Sequence, residues 1–332
     1  MTLQSQIYDI ESSLEDFLHQ ATQSSTENHC GQLLLEHLQT GGKRLRARLA
    51  LTVAESLGLS SDDVLPWACA VEMLHNATLI HDDIQDGDSF RRGQPTTWKK
   101  HGVAQAINVG DLGLMLPFDI LNRLNCSMEH KWQLTQLISQ SAIQTVQGQA
   151  NEMMLLENRH LDRAHYFQCV TQKTGAFFSL PVHGSAILAG LDPLEAQELA
   201  EAFLPLGILF QLQDDLLDCY GNKGREYKGN DLREGKVSIL VVNHLQLHPE
   251  DYFRVMAILT AQREYLTQST INAMIESFHQ SGAVQASIED IQSQINHLQS
   301  PILRKYPQVQ QLAMHLCQKM IQPIAHLMGG LQ

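Results

Sequence analysis

Between Pro117 and Pro181 the chain has no proline, and its apolar residues there return at helical rather than alternating spacing. A stretch of that length is accommodated only by long helices. Leu134, Ile138, Ala142, Val146 and Met153 predict one long amphipathic helix or two in succession. Alternating β-branched runs are hard to find anywhere in the chain, so a sheet is not expected to organise it. Breaks are expected at Gly41-Gly42, Gly58 to Ser61, Gly87 to Pro95, Gly190 to Pro193, Gly221 to Gly229 and His248-Pro249. No low-complexity linker separates these segments. Although 332 residues would allow about two domains, the pattern reads as a single all-α domain over residues 1–332. The C-terminal third, past Pro249, would form a helical cap on it.

Two helices have well-marked ends. Ser60 or Ser61 can cap a helix whose first turn holds Asp62 and Asp63, where the helix dipole favours acids, with Pro66 tolerated early. This helix runs through Trp67, Val71, Leu74 and Thr78 to Asp86 and stops at Gly87. The second is expected from about Leu194 through Phe203 and Phe210 to Asp218, stopping at Gly221. Both end in acid.

With 23 Lys+Arg against 36 Asp+Glu, the formal charge of −13 argues against a broad nucleic-acid surface or an anionic-membrane surface. The six cysteines (Cys30, Cys69, Cys126, Cys169, Cys219, Cys317) are scattered singly, without CxxC or zinc-type spacing. Free thiols in a reducing compartment are the expectation. Residues Met1 to Ser13 lack the pattern of a secretory signal, and no apolar run approaches the roughly 18 residues of a membrane span. The reading is a cytoplasmic protein.

The acidic helix ends are Asp82-Asp83-Ile84-Gln85-Asp86 and Asp214-Asp215-Leu216-Leu217-Asp218, one DDxxD spacing twice. At 3.6 residues per turn, Asp82 and Asp86 share a face, as do Asp214 and Asp218. Their repulsion is aggravated by the negative end of the helix dipole, so the pattern calls for cations. Oxygen ligands without His or Cys suit Mg²⁺, which keeps several waters and shares its sphere with substrate phosphates. A single DDxxD could be a solvated helix end; two at matching ends make that reading weak. Basic residues recur nearby: Lys43, Arg44 and Arg46 after Gly41-Gly42, Arg91-Arg92 after the first motif, Lys173, and the loop bearing Lys228 and Lys236. Such sets suit phosphate, whereas Arg44, Arg48, Lys99 and Lys100 read as ordinary solvated surface.

The segments GGKRLRARL, HNATLIHDDIQDGDSFRRGQPT, QKTGAFF, FQLQDDLLD and GNDLREGK, in that order from Gly41 to Lys236, resemble the trans-isoprenyl diphosphate synthases. These are the head-to-tail prenyltransferases that make farnesyl and geranylgeranyl diphosphate. The resemblance implies the isoprenoid synthase fold, an all-α bundle around a central elongation cavity, and a homodimer. It also implies Mg²⁺, as three ions bound with the allylic diphosphate. Asp82 and Asp86 would hold metal from one wall and Asp214 from the other, with Asp83, Asp215 and Asp218 supporting. Arg91, Lys173 and Lys228 would contact the allylic diphosphate, with Lys236 in the same basic set. Lys43, Arg46, His75 and Arg92 would bind the diphosphate of isopentenyl diphosphate. His75 lies two helical turns before Asp82, on nearly the same face. Thr174 and Gln211 would place oxygen dipoles near developing positive charge.

By the same resemblance the reaction condenses isopentenyl diphosphate with dimethylallyl, geranyl or farnesyl diphosphate. Three departures from the family pattern stand out: Ala47 where proline is usual, a shorter segment around Lys228, and Ser238 for threonine. Ala77 and Thr78, five and four residues before Asp82, are small where strict farnesyl synthases carry an aromatic stopper. The next candidates for a floor, Leu74 and Met73, lie about 12 to 13.5 Å back along the helix. Geranylgeranyl diphosphate is the expected product, and Ala77→Phe is expected to shorten it. The alternatives are a longer polyprenyl or farnesyl diphosphate synthase, a non-catalytic regulatory subunit, or a cyclase or head-to-head synthase on the same fold.

Overall fold

The computed structural model describes residues 3–22, 29–157, 161–221 and 228–329. Most of the expected break at Gly221 to Gly229 lies outside these residues. Apart from one hairpin of two-residue strands, the described elements are helical. They form two compact units, Met1–Ile143 with Phe177–Glu201 and Gln144–Ala176 with Ala202–Gln332.

In the first unit the central helix is α4 (Ser61–Gln85), packed by α1 (Leu3–Thr22), α2 (His29–Gln39), α3 (Leu45–Ser56) and α6 (Val103–Leu121). Asp62 and Asp63 occupy its first turn as expected, and Ser60 precedes it in extended conformation, but its side chain makes no capping hydrogen bond. Trp67, Ala70, Val71, Met73, Leu74 and Ile80 are all buried, so α4 is apolar around most of its circumference. A further helix, α9 (Ala176–Leu188), carries Gly184 directly under the Trp67 ring, where a Cβ would lie 2.1 Å from a ring carbon. Trp67 Nε1 donates to the Pro181 carbonyl (3.2 Å), and Ser185 Oγ donates to the Ala50 carbonyl (2.8 Å). Gly184→Ala should therefore cost about 1–3 kcal/mol by overpacking. The urea midpoint will fall if this packing is right and will stay put if it is not.

Ala77 is fully buried, and a Cβ on Gly113 of α6 would lie 2.9 Å from its own Cβ. The smallness of Ala77 thus has an interhelical cause: α4 and α6 approach closely here. Thr78 is half-buried and donates to the His75 carbonyl (2.8 Å). Met73 and Leu74 belong to the unit's hydrophobic core.

In the second unit α11 (Leu204–Tyr220) is the axis, with α13 (Ile239–Leu247), α16 (Ala283–His297) and α18 (Pro307–Ile321) packed on it. The helices past Pro249, expected as a cap, are integral to this packing. The helix expected to run unbroken from Leu194 to Asp218 is instead two, α10 (Pro193–Glu201) and α11. Pro205 at the start of α11 explains the break. It lacks an N–H, and in a continuous helix its ring would strike the carbonyl four residues back. Arg163, opening α8 (Arg163–Val170), makes a bidentate pair with Asp290 of α16 and donates to Asn243 of α13 (2.6 Å), so one guanidinium ties three helices together.

The proline-free stretch contains one helix, α7 (Met128–Glu157), that passes from the first unit into the second. Leu134 and Ile138 are buried as expected, but Val146 and Met153 are more than half exposed. No helix among the described residues is long and apolar enough to cross a membrane, and all six cysteines are free.

Candidate active site

In the first unit, the sequence Gly41-Gly42 ends α2's connection with both residues at positive φ (86° and 138°), which glycine adopts without a Cβ clash. Arg44 follows in the left-handed region at φ 46° and is only 3% exposed. This corrects the expectation of a solvated Arg44. Its Nε donates to Glu11 (3.2 Å), its guanidinium bonds the Leu38 carbonyl (2.5 Å), and buried Glu72 lies 3.9 Å away. Glu72 also accepts from the Ala47 N–H (3.2 Å) and from Asn76 (3.2 Å). Arg44 is thus a buried pin that starts α3. Beside it Lys43 is exposed and Arg46 is half-buried, its guanidinium 5.3 Å from the centre of the Phe178 ring. Burial brings Arg46 down to about 10, which leaves it charged at neutral pH.

His75 sits half-buried, edge-on to Phe177 at 5.2 Å, and its Nδ1 has no hydrogen-bond partner. Burial, reinforced by Arg46, Arg91 and Arg92, holds its pKa well below the usual value, so the ring is neutral. At the end of α4, Asp82 and Asp86 are half-buried, while Asp83 is 1% exposed and clamped by Arg91 at 2.8 Å (Nε) and 2.6 Å. Burial raises the Asp83 carboxyl, and the bond to Arg91 only partly offsets this.

Arg91 is delivered by the hairpin β1 (Phe90–Arg91) and β2 (Gln94–Pro95). Its two-residue turn, Arg92-Gly93, has positive φ at both positions (53° and 78°), as in a type I′ turn. From the sequence this segment is expected only as a break between Gly87 and Pro95. Arg92 is exposed, and its guanidinium lies so close to Gly42 that a Cβ there would be 2.8 Å from it. Gly42 is therefore small for two reasons, its backbone conformation and the arginine above it.

In the second unit, α8 runs into a π-helical turn, Thr171–Gly175, that carries Lys173 and Thr174. Gly207 of α11 lets this turn approach, since a Cβ there would be 2.5 Å from the Gly175 Cα. Lys173 Nζ pairs with Glu152 of α7 (2.6 Å). Thr174 Oγ1 donates to Gln211 Oε1 (3.5 Å), and Gln211 Nε2 donates to Asp215 Oδ1 (2.9 Å). Asp215 also accepts from Tyr166 (2.6 Å) and the Ile239 N–H (2.7 Å). Burial nonetheless pushes it up to about 6. Asp218 is buried and accepts from the Asp231 N–H (3.0 Å), while Asp214 is half-buried. Lys228 is exposed, and Lys236 pairs with Glu234 (3.1 Å).

The six aspartates therefore divide into two kinds. Asp83, Asp215 and Asp218 are buried; Asp82, Asp86 and Asp214 are half-buried at their helix ends. Among the described residues no three His, Cys, Asp or Glu side chains converge into a metal cage. Carboxylate oxygens at the ends of α4 and α11 are the kind of donor that Mg²⁺ takes, one or two at a time alongside waters and substrate phosphate.

Glu72, Glu152 and Tyr166 escaped the sequence reading. Glu72 had a signal, an acid inside an otherwise apolar helical run, which requires a buried cationic partner. Tyr166 had none.

The sequence profile of the polyprenyl synthetase family matches residues 27–277. The chain is 36% identical over 216 residues to a short chain isoprenyl diphosphate synthase of Methanocaldococcus jannaschii, covering 64% of this chain and 65% of that protein. It is 34% identical to a geranylgeranyl diphosphate synthase of Methanosarcina mazei, covering 62% and 64% respectively. The match thus spans slightly less than two-thirds of each relative's length. Among solved structures, a geranylgeranyl pyrophosphate synthase superposes with a TM-score of 0.83 at 28% identity, covering 96% of this chain and 98% of that one.

Proposed function

The chain belongs to the polyprenyl synthetase family, and on that premise we propose that it is a Mg²⁺-dependent prenyltransferase joining isopentenyl diphosphate head to tail with allylic diphosphates. Residues 1–332 act as one catalytic domain in the cytoplasm, where six free cysteines are stable. Geranylgeranyl diphosphate is the product this reading favours. The observation that carries it is the graded burial of the acids: Asp83, bonded to Arg91, and Asp215, bonded to Tyr166, Gln211 and the Ile239 N–H, are buried beside half-buried Asp82, Asp86 and Asp214.

Asp82, Asp86 and Asp214 would hold Mg²⁺, which when bound neutralises the charge on the leaving diphosphate. Arg91, Lys173 and Lys228 orient the allylic diphosphate, while Lys43, Arg46, His75 and Arg92 hold that of isopentenyl diphosphate. A neutral His75 donates one hydrogen bond without adding charge to the already cationic group around Arg46 and Arg92. Gln211 turns its carbonyl oxygen toward Thr174 because its amide nitrogen is fixed on Asp215. That oxygen dipole is preorganised to stabilise the allylic cation. No side chain is needed as base, since the departing diphosphate can take the proton.

A second copy of the chain would cover the exposed apolar residues Trp132, Ile143, Val146 and Met153 on α7. Size-exclusion chromatography should then give a dimer, and a monomer eluting across micromolar concentrations would remove this part of the reading.

Purified protein given Mg²⁺, farnesyl diphosphate and isopentenyl diphosphate should yield geranylgeranyl diphosphate by product chromatography. Omitting isopentenyl diphosphate should abolish all product. A hydrocarbon formed without it would favour a cyclase, and inactivity of well-folded protein would favour a regulatory subunit.

A further inference from the structure

Behind the hairpin of the first unit, on the side of α2 and the short helix α5 (Thr97–His101), lies a cavity of about 320 Å³. Its wall contains Arg91, Arg92 and Lys100 together with His37, yet none of Lys43, Arg46, His75, Asp82 or Asp86 lines it. It is therefore distinct from the group of residues assigned above to isopentenyl diphosphate, sharing only Arg92 with it.

The charges on this wall are unevenly compensated. Asp83 neutralises Arg91, and Glu36 pairs with both Lys100 (2.5 Å) and His101 (3.1 Å). Arg92 is disfavoured by burial and by Arg44 and Arg91, which the carboxylates of Glu72 and Asp83 only partly offset. It is held by a turn at φ 53°, a conformation few side chains other than glycine adopt, so the hairpin fixes where this cation stands. His37 is only 4% exposed, and its Nε2 has no hydrogen-bond partner. A buried ring nitrogen without a partner is unusual in a folded protein and marks a place where a polar group is missing. Burial, with Arg91, Arg92 and Arg44 nearby, brings His37 down to about 3, so it is a neutral ring able to donate or accept. The volume exceeds the roughly 30 Å³ share of one water about tenfold. A partly compensated guanidinium, a second cation held by a single shared carboxylate and a neutral imidazole together match a multi-oxygen anion of modest size.

We propose that this cavity is a second anion site, taking inorganic diphosphate or phosphate through Lys100 and His37 and bordering the substrate diphosphate group, with which it shares Arg91 and Arg92. It rests on the proposed reaction only for the origin of the ligand: diphosphate is what that reaction releases, so the site would report product accumulation to the hairpin that carries Arg91. Its existence is tested without catalysis.

The full chain, free of Mg²⁺, is titrated calorimetrically with inorganic diphosphate and, separately, with inorganic phosphate. His37→Ala/Lys100→Ala should weaken one binding step at least tenfold while the KM for isopentenyl diphosphate stays within twofold. Lys100→Ala alone, at an exposed position, should weaken it about threefold and guards against misfolding of the double variant. Loss of diphosphate binding alone identifies the released product as ligand, loss of phosphate binding alone identifies free phosphate, and equal loss for both supports a site that takes either anion. Unchanged isotherms in both folded variants overturn the site. So does a tenfold parallel rise in the KM for isopentenyl diphosphate, which would make the cavity part of the substrate site.

Discussion

Asp82→Ala is expected to lower turnover by about 10³-fold or more while leaving the protein at least as stable as before. The two effects have opposite sign because they come from the same charge. Asp82 stands in the last turn of α4, one turn before Asp86 and beside buried Asp83. There the helix dipole is already negative, and each acid is unfavourable by about 0.3–1 kcal/mol. Removing it relieves the folded state and takes a proposed metal ligand from the working one. Asp214→Ala should repeat the pattern from α11. Steady-state assay at saturating Mg²⁺ and a thermal melt decide it: a variant with more than a tenth of wild-type turnover would refute the ligand role.

Gly207→Ala should produce the next largest loss. A Cβ at this position would lie 2.5 Å from the Gly175 Cα and 2.8 Å from the Thr174 carbonyl, both backbone atoms that cannot rotate away. The π-helical turn must then lift off α11. Overpacking of this kind costs about 1–3 kcal/mol, but the greater effect is on position. Lys173 and Thr174 ride on that turn, and Gln211, which Thr174 bonds, stays with α11. A displacement near 1 Å at reacting groups can cost about 10²-fold in rate. The expected signature is a kcat about 10²-fold down with a much smaller change in KM for isopentenyl diphosphate, whose assigned ligands lie elsewhere. Equal losses in both would argue against a displaced turn.

What the sequence discloses follows from how local each cause is. The acidic ends of α4 and α11 were legible because helix periodicity and the dipole are properties of neighbouring residues. The start of α4 at Ser60 was legible for the same reason. The division of the acids into buried and half-buried could not be read, because the partner of Asp83 sits on a hairpin and that of Asp215 is a tyrosine 49 residues earlier. Arg44 was misjudged as surface since its carboxylate partners, Glu11 and Glu72, lie in other helices. The break before α11 was a local signal overlooked, because Pro205 alone announces it. The exposure of Val146 and Met153 shows the limit of periodicity: it finds the apolar faces of α7 without saying which one the fold covers.

The contact of Ala77 with Gly113 changes what mutagenesis of product size can accomplish at this position. One partner has a methyl group and the other has nothing, so neither can be trimmed to make room for the other. An aromatic ring at Ala77 would act as a wedge that forces two helix axes apart, and would not serve as a plug across a channel. The wedge would sit about 7.5 Å along α4 from Asp82, near enough to tilt the acidic end of the helix. Ala77→Phe is thus expected to slow the enzyme and lower its melting temperature before it shortens any chain, and a stable, fast variant making shorter product would show that the helices part more readily than their packing suggests.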